Sequence, residues 1–306
     1  IGAAFANKRS GNHIITTSVE HPAVSQPALF LQEQGFEVTY LPVDSRGVVK
    51  MDALKAVLRE DTILVSVMYV NNEVGAVEPI EEISRIIKAK NPSVMFHVDA
   101  IQAYGKYVIR PKKQGIDLLS VSGHKIHGPK GVGFLYIRSG VKIKPLIYGG
   151  GQQNNLRSGT ENVPGAAGLG VAAKEMYTDH EEKIRRLTEL KDYMIDRLGE
   201  IEGTLVNSKK GTESAPQIVS VSFEGVRSEV LLHALEDKEI YVSSGSACSS
   251  HHPGISGTLK GIGLAQKYLD ATIRISFGIF NTKEEIDYCI DTLKELLPVL
   301  RRYQRG

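Results

Sequence analysis

Apolar and polar positions change period in blocks along the first half of the chain. "HIITTSV" (13–19) reads as a strand. "PAVSQPALFLQEQG" (22–35) reads as a helix closed by a glycine, with Pro27 placed to shorten it. "FEVTYLPV" is a second strand, and "MDALKAVLRE" a helix with an aspartate near its start. "TILVSVMYV" is a continuous apolar run, as expected of a parallel strand buried on both faces. An amphipathic helix, "IEEISRIIKAK", and another buried strand, "SVMFHVDA", come next, then the strands "IDLLSVSG" and "GVGFLYI". Strands alternating with helices predict an α/β fold, a mainly parallel sheet with helices on both faces.

After Gly151 the pattern changes. A polar loop, "QQNNLRSGTENVPG", precedes a long helical stretch at about 165–200 with charges of both signs. Then come "APQIVSVSF", "RSEVLLHALEDKE", a serine-rich loop, "TIRISFG" and the helix "KEEIDYCIDTLKELLPVLRRY". That order predicts a smaller C-terminal α+β domain. The expected division is a large domain over 1–164, a connecting helix over 165–200 and a small domain over 201–306. The opening "IGAAFANKRSGNH" reads as the last turns of a helix ending at Gly11, so an upstream segment is expected before it.

Composition narrows the function classes. The 306 residues are 42% hydrophobic and 24% charged, with a net charge of +2. Bulk electrostatics therefore does not point to nucleic acid or membrane as a partner. Arg301, Arg302 and Arg305 follow a helical spacing and read as a solvated helix end. No apolar run is long enough to span a bilayer. Two cysteines, Cys248 and Cys289, form neither a disulfide framework nor a CxxC site and fit a reducing cytoplasm.

Candidate chemistry gathers where predicted strands end. In "SVSGHKIHGPKGVGF" (120–134), Lys125 follows a buried strand among glycines, at the edge where open α/β sheets bind ligands. Pro129 stands after Gly128, so this is no nucleotide-binding P-loop. Lys125 reads either as a surface lysine in a turn or as a Schiff-base lysine. Asp99 ends "VMFHV" and reads either as a helix N-cap or as the acid facing a protonated pyridine nitrogen. Asn71, Asn72 and Glu73 end the third buried strand, and His21 follows the first. "GLGVAA" (168–173) matches a dinucleotide pattern but follows no strand, so its glycines read as close helix packing. HExxH, GxSxG and zinc spacings are absent.

The pieces "EHPAV", "NNEVG", "HVDAIQ", "SGHKIHGPKG", "RSGTENVPG" and "SSGSACSS" stand in the order they take in the cysteine desulfurases. The chain resembles that NifS/IscS-like group of fold-type-I pyridoxal-phosphate enzymes over nearly its whole length. The resemblance implies a PLP-dependent transferase fold, a homodimer, and conversion of L-cysteine to L-alanine with sulfur passed to an enzyme persulfide. A sulfur-acceptor protein of iron–sulfur assembly or tRNA thiolation would follow. It implies that Lys125 binds pyridoxal 5'-phosphate covalently, Asp99 meets the ring nitrogen, Gln102 the phenolate oxygen, and His21 the ring face. Ser122 and His124 would bind the phosphate, Thr160 the phosphate of the other subunit's cofactor, and Asn72 and Arg274 the substrate carboxylate. Cys248 would be the persulfide cysteine, served by a mobile loop. A selenocysteine lyase, another lyase on the same lysine site, or a cofactor-free dimerising scaffold are the alternatives. "SGTLK" (256–260) departs from the "SHVLK" of many family members, and His251 and His252 read as facing water.

Overall fold

The computed structural model describes residues 1–244 and 256–303. Cys248, His251 and His252 lie outside the described residues. The chain forms two compact units. The first comprises Ile1–Pro42, Val49–Val70 and Glu78–His180; the second comprises Val43–Val48, Asn71–Val77 and Glu181–Gly306.

In the first unit, α1 (Gly2–Asn7) leads to β1 (His13–Thr17), α2 (Pro22–Glu33) and β2 (Glu37–Leu41). Then follow α3 (Met51–Val57), β3 (Thr62–Met68), α4 (Ile80–Lys90), β4 (Met95–Asp99), β5 (Leu118–Ser122), β6 (Gly133–Ile137) and α5 (Val163–Tyr177). The six strands make one sheet in the order β2-β1-β3-β4-β5-β6, parallel except for β6, which runs antiparallel to β5. Every residue of β1 and β3 is buried, so both faces of the sheet are covered at its centre. On one face Ala3, Ala4 and Leu31 from α1 and α2 meet Ile14, Ile63, Met95 and Leu118. Pro27 lies inside α2 without ending it; the helix stops just before Gly35, whose φ is +81°.

Two histidines interrupt the apolar strands because each meets a hydroxyl on both sides. His13 shares hydrogen bonds with Thr62 (2.8 Å) and Thr39 (2.9 Å), tying β1 to both neighbours. His97 does the same with Ser66 (2.7 Å) and Ser120 (2.9 Å), and burial pushes its pKa down to about 4. Both rings are structural and neutral. Asp117 just before β5 is also fully enclosed; it accepts from Lys88 (2.7 Å) and the Phe96 N–H (2.8 Å), and Arg138 forms an ion pair with its other oxygen.

The expected helix at 165–200 is two helices, α5 and α6 (His180–Leu198). The break falls at Asp179, whose φ is +48°. Gly168 in α5 approaches the Pro129 ring closely, while Gly170 meets nothing, so only the first glycine serves packing.

The second unit continues with β7 (Thr204–Val206), β8 (Ile218–Phe223), α7 (Ser228–Glu236), β9 (Ser243–Ser244), α8 (Gly257–Gly261), α9 (Gln266–Leu269), β10 (Thr272–Ser276) and α10 (Lys283–Tyr303). Its sheet, β7-β8-β10-β9, is antiparallel. Val219, Val221, Phe223 and Ile273 pack against Leu190 and Met194 of α6, Leu231 of α7, and Ile290 and Leu293 of α10. The short stretches 43–48 and 71–77 join this unit although the strands they border belong to the first. Arg301 is partly exposed, and its guanidinium also donates to the carbonyls of Glu224 (3.0 Å) and Glu202 (2.7 Å).

Candidate active site

Parallel strands deliver their carboxyl ends to one edge of the first sheet. Met68 pairs with Asp99, and Asp99 with Ser120, so the residues that follow β3, β4 and β5 emerge side by side. Asp99 is 5% exposed. Its Oδ1 accepts the Ile101 N–H at 3.0 Å, in a turn rather than at a helix N-cap. Burial pushes its carboxyl up, and the Ile101 N–H and the nearby His21 pull it back.

His21 caps α2: its Nδ1 accepts the Ala23 N–H at 3.1 Å, which leaves the neutral ring its proton on Nε2. Burial pushes the ring's pKa down; Asp99 opposes that, and Lys125 adds to it. His21 thus feels both Asp99 and Lys125, which brings three of the residues singled out from sequence into one electrostatic group.

Lys125 stands half-buried on a 3-10 turn, Gly123–Ile126, directly after β5. Ser122 and His124 flank it, and the Ser122 hydroxyl and His124 Nδ1 share a 2.8 Å hydrogen bond. Burial, Lys125 and Lys130 all hold the His124 ring toward its neutral form. Gln102 is half-buried in the turns after Asp99. Thr160 is exposed in the loop before α5 and takes part in none of these interactions.

Sequence reasoning passed over Glu20. Its Oε1 accepts the Thr17 hydroxyl and the Met68 N–H, both at 2.9 Å, while Oε2 is buried with no partner. Burial pushes its carboxyl up to about 8, and Asp99 and Glu78 add to the rise. Glu20 ties the end of β1 to the end of β3, with its carboxyl held toward its neutral form. The only available signal was a glutamate directly after an apolar strand, in "SVEHPAV".

Asn72 and Arg274 lie together in the second unit. The Arg274 guanidinium donates from Nη1 to the Asn72 carbonyl (2.8 Å) and from Nη2 to the Ser243 hydroxyl (3.1 Å). Asn71 Oδ1 accepts the N–H groups of Glu73 and Val74, both at 2.9 Å, which fixes the turn. Ser256 caps α8, accepting the Leu259 N–H, and its hydroxyl donates to Glu73 Oε2 at 2.5 Å. Ser243–Ser244 pair with Ile273 and Arg274, and Ser256 is bonded to Glu73; Cys248 lies outside the described residues. Among the described residues no histidine, cysteine and carboxylate cluster could hold a metal ion. No helix among them is long and apolar enough to cross a membrane.

Residues 2–289 match the family described as aminotransferase class-V, and the chain belongs to it. Within that class it is 46% identical over 300 residues to the cysteine desulfurase IscS of Methanosarcina thermophila, covering 98% of this chain and 74% of that protein. It is 45% identical over 301 residues to the cysteine desulfurase IscS of Dictyoglomus turgidum, covering 98% and 76%. A solved NifS-like protein superposes with a TM-score of 0.91 at 40% identity, over 98% of this chain and 78% of that one. The chain is a member of the cysteine desulfurase branch, whose class is pyridoxal-phosphate-dependent in general.

Proposed function

We propose that the chain moves the sulfur of L-cysteine onto Cys248 as a persulfide and releases L-alanine. The convergence of Asp99, His21 and Lys125 at neighbouring strand ends carries this reading. The donor set suits pyridoxal 5'-phosphate. A buried carboxylate is costly without a cationic partner, and a protonated ring nitrogen would be one for Asp99. Gln102 would donate to the phenolate oxygen. Ser122 and His124 would hold the phosphate, with Thr160 reaching the phosphate of the other subunit in a homodimer. His21 would lie on the ring, and Asn72 would serve both ring and substrate.

When bound, the cofactor supplies an electron sink for charge developing at the substrate α-carbon. Lys125, once its amine is unprotonated, takes the α-proton and returns a proton later. Arg274 binds the substrate carboxylate, a task that suits a guanidinium because its fork can hold both oxygens. The Cys248 thiolate attacks the substrate sulfur. An S–S bond forms as the C–S bond breaks, the electron pair stays with carbon, and a proton completes alanine. The persulfide then passes its outer sulfur to a thiol of an acceptor protein, in iron–sulfur assembly or tRNA thiolation, in the cytoplasm.

The test is the full chain with added pyridoxal phosphate, L-cysteine and excess dithiothreitol, whose thiols reduce the persulfide and release its outer sulfur as sulfide. The expected result is a yellow protein whose cofactor becomes fixed by borohydride, with alanine and sulfide formed in equal amounts. Lys125→Ala should lose the fixation and the alanine. A variant that keeps either would overturn the assignment.

A further inference from the structure

The stretch that supplies Asp99 and Gln102 does not end its work there. Four residues after Gln102, the side chain of Lys106 turns into the protein and is 7% exposed. Its Nζ donates to the backbone carbonyl of Lys125 at 2.7 Å. The turn that carries Lys106 is pressed against the turn that carries Lys125. Gly105 has φ +79°, and a side chain there would come within 2.8 Å of Ile126. Its N–H donates to the Tyr177 hydroxyl (3.1 Å), which in turn donates to the Tyr107 carbonyl (3.1 Å). Tyr107 and Gly105 are thus both fixed by one phenol, and Lys106 between them has a defined direction.

A buried ammonium is expensive unless it is bonded, and here the group it bonds is the backbone of another lysine. The two ammonium groups repel: burial and Lys125 together push the Lys106 pKa down to about 8. A cationic neighbour is one of the ways a lysine is kept available as a nucleophile. The other titratable groups that feel this pair are His21 and His124, beside Lys125, and His127, beside Lys106, and all three are held toward their neutral forms.

We propose that Lys106 is a positioning residue for Lys125, clamping the turn that presents it and using its positive charge to favour the unprotonated, reactive amine. This rests on the assignment of Lys125 as the cofactor's lysine, and the test separates the two. Trace acetylation of the full chain at a series of pH values, read by peptide mass, gives the pH at which the Lys125 amine becomes reactive without reference to any cofactor. In Lys106→Met, a side chain of similar length without charge, that midpoint should rise by about one pH unit. Lys106→Arg should restore most of the difference. Thermal unfolding checks that both variants fold.

With pyridoxal phosphate added, Lys106→Met should also shift the pH midpoint of the cofactor's absorbance in the same direction. An unmoved Lys125 labelling midpoint in folded Lys106→Met would overturn the proposal. Borohydride fixation mapped to a lysine other than 125 would overturn the cofactor assignment while the labelling result stands.

Discussion

The two groups of proposed site residues are built on opposite plans. In the first unit, Asp99, His21 and Glu20 are titratable side chains at strand ends, each pushed by burial toward its neutral form, and the Lys125 charge acts on His21. In the second, Arg274 carries a permanent charge, fixed by a backbone carbonyl and a hydroxyl. The first group is therefore tuned by protonation and the second by geometry. Changes to the first should alter pH dependence and cofactor chemistry; changes to the second should alter substrate affinity.

Loss of Arg274 is the largest contrast after the lysine itself. Arg274→Ala should lower kcat/KM for L-cysteine by roughly 10- to 100-fold, the worth of one or two charge-assisted hydrogen bonds. The loss should fall mainly on KM, and the cofactor's absorbance and its pH midpoint should stay as they are. Steady-state kinetics and a spectrophotometric titration check this. A shifted midpoint with an unchanged KM would erase the distinction between the two plans.

Asp117 tests whether the first sheet is held by charge as well as by its apolar faces. Asp117→Ala leaves Lys88 and Arg138 without their shared carboxylate and the Phe96 N–H without an acceptor. Both cations are partly exposed and can turn to water, so the cost should be about 2–3 kcal/mol, below that of a fully enclosed pair. Urea unfolding measures it.

Glu20 sharpens the protonation side. Burial pushes its carboxyl from the ordinary 4.5 up to about 8 in the folded chain. Between those values the folded state keeps a proton that the unfolded state has lost, so stability falls as pH rises from about 4.5 to 8 and levels off above. Glu20→Gln keeps an acceptor for Thr17 and Met68 but cannot ionise. Its melting temperature should decline less than that of the parent between pH 5 and 9, by roughly a few degrees. Equal slopes would mean that Glu20 is ionised in the fold.

How much of this was legible follows from what each signal encodes. The strands and helices of the first half are written in apolar period, and α4 runs over the eleven residues of "IEEISRIIKAK". Lys125, Asp99 and His21 were legible as polar residues that interrupt an apolar run at its end. Glu20 and Lys106 were not, because their meaning lies in partners distant in sequence: Met68 for one, the Lys125 carbonyl for the other. The break between α5 and α6 was hidden because Asp179 occupies a positive φ that no glycine or proline announces. The joining of 71–77 to the second unit depends on bonds to Ser256 and Arg274, about two hundred residues away, which no local pattern carries.

The two cysteines offer the smallest effect and the cleanest internal control. Cys289 lies in α10 among Leu293, Ile290 and Val221, and burial pushes its thiol up to about 11. At neutral pH it holds almost no thiolate, and the thiolate is the nucleophile. It can neither attack substrate sulfur nor be reached by an alkylating agent in the folded chain. Cys289→Ala should leave turnover unchanged and cost about 1 kcal/mol of stability, the loss of one small buried group. Iodoacetamide on the native protein, mapped by peptide mass, should modify Cys248 and spare Cys289 until denaturant is added. Modification of Cys289 at a comparable rate in the folded protein would remove the argument that persulfide chemistry belongs to Cys248 by chemical necessity, since Cys248 is the only other thiol the chain has.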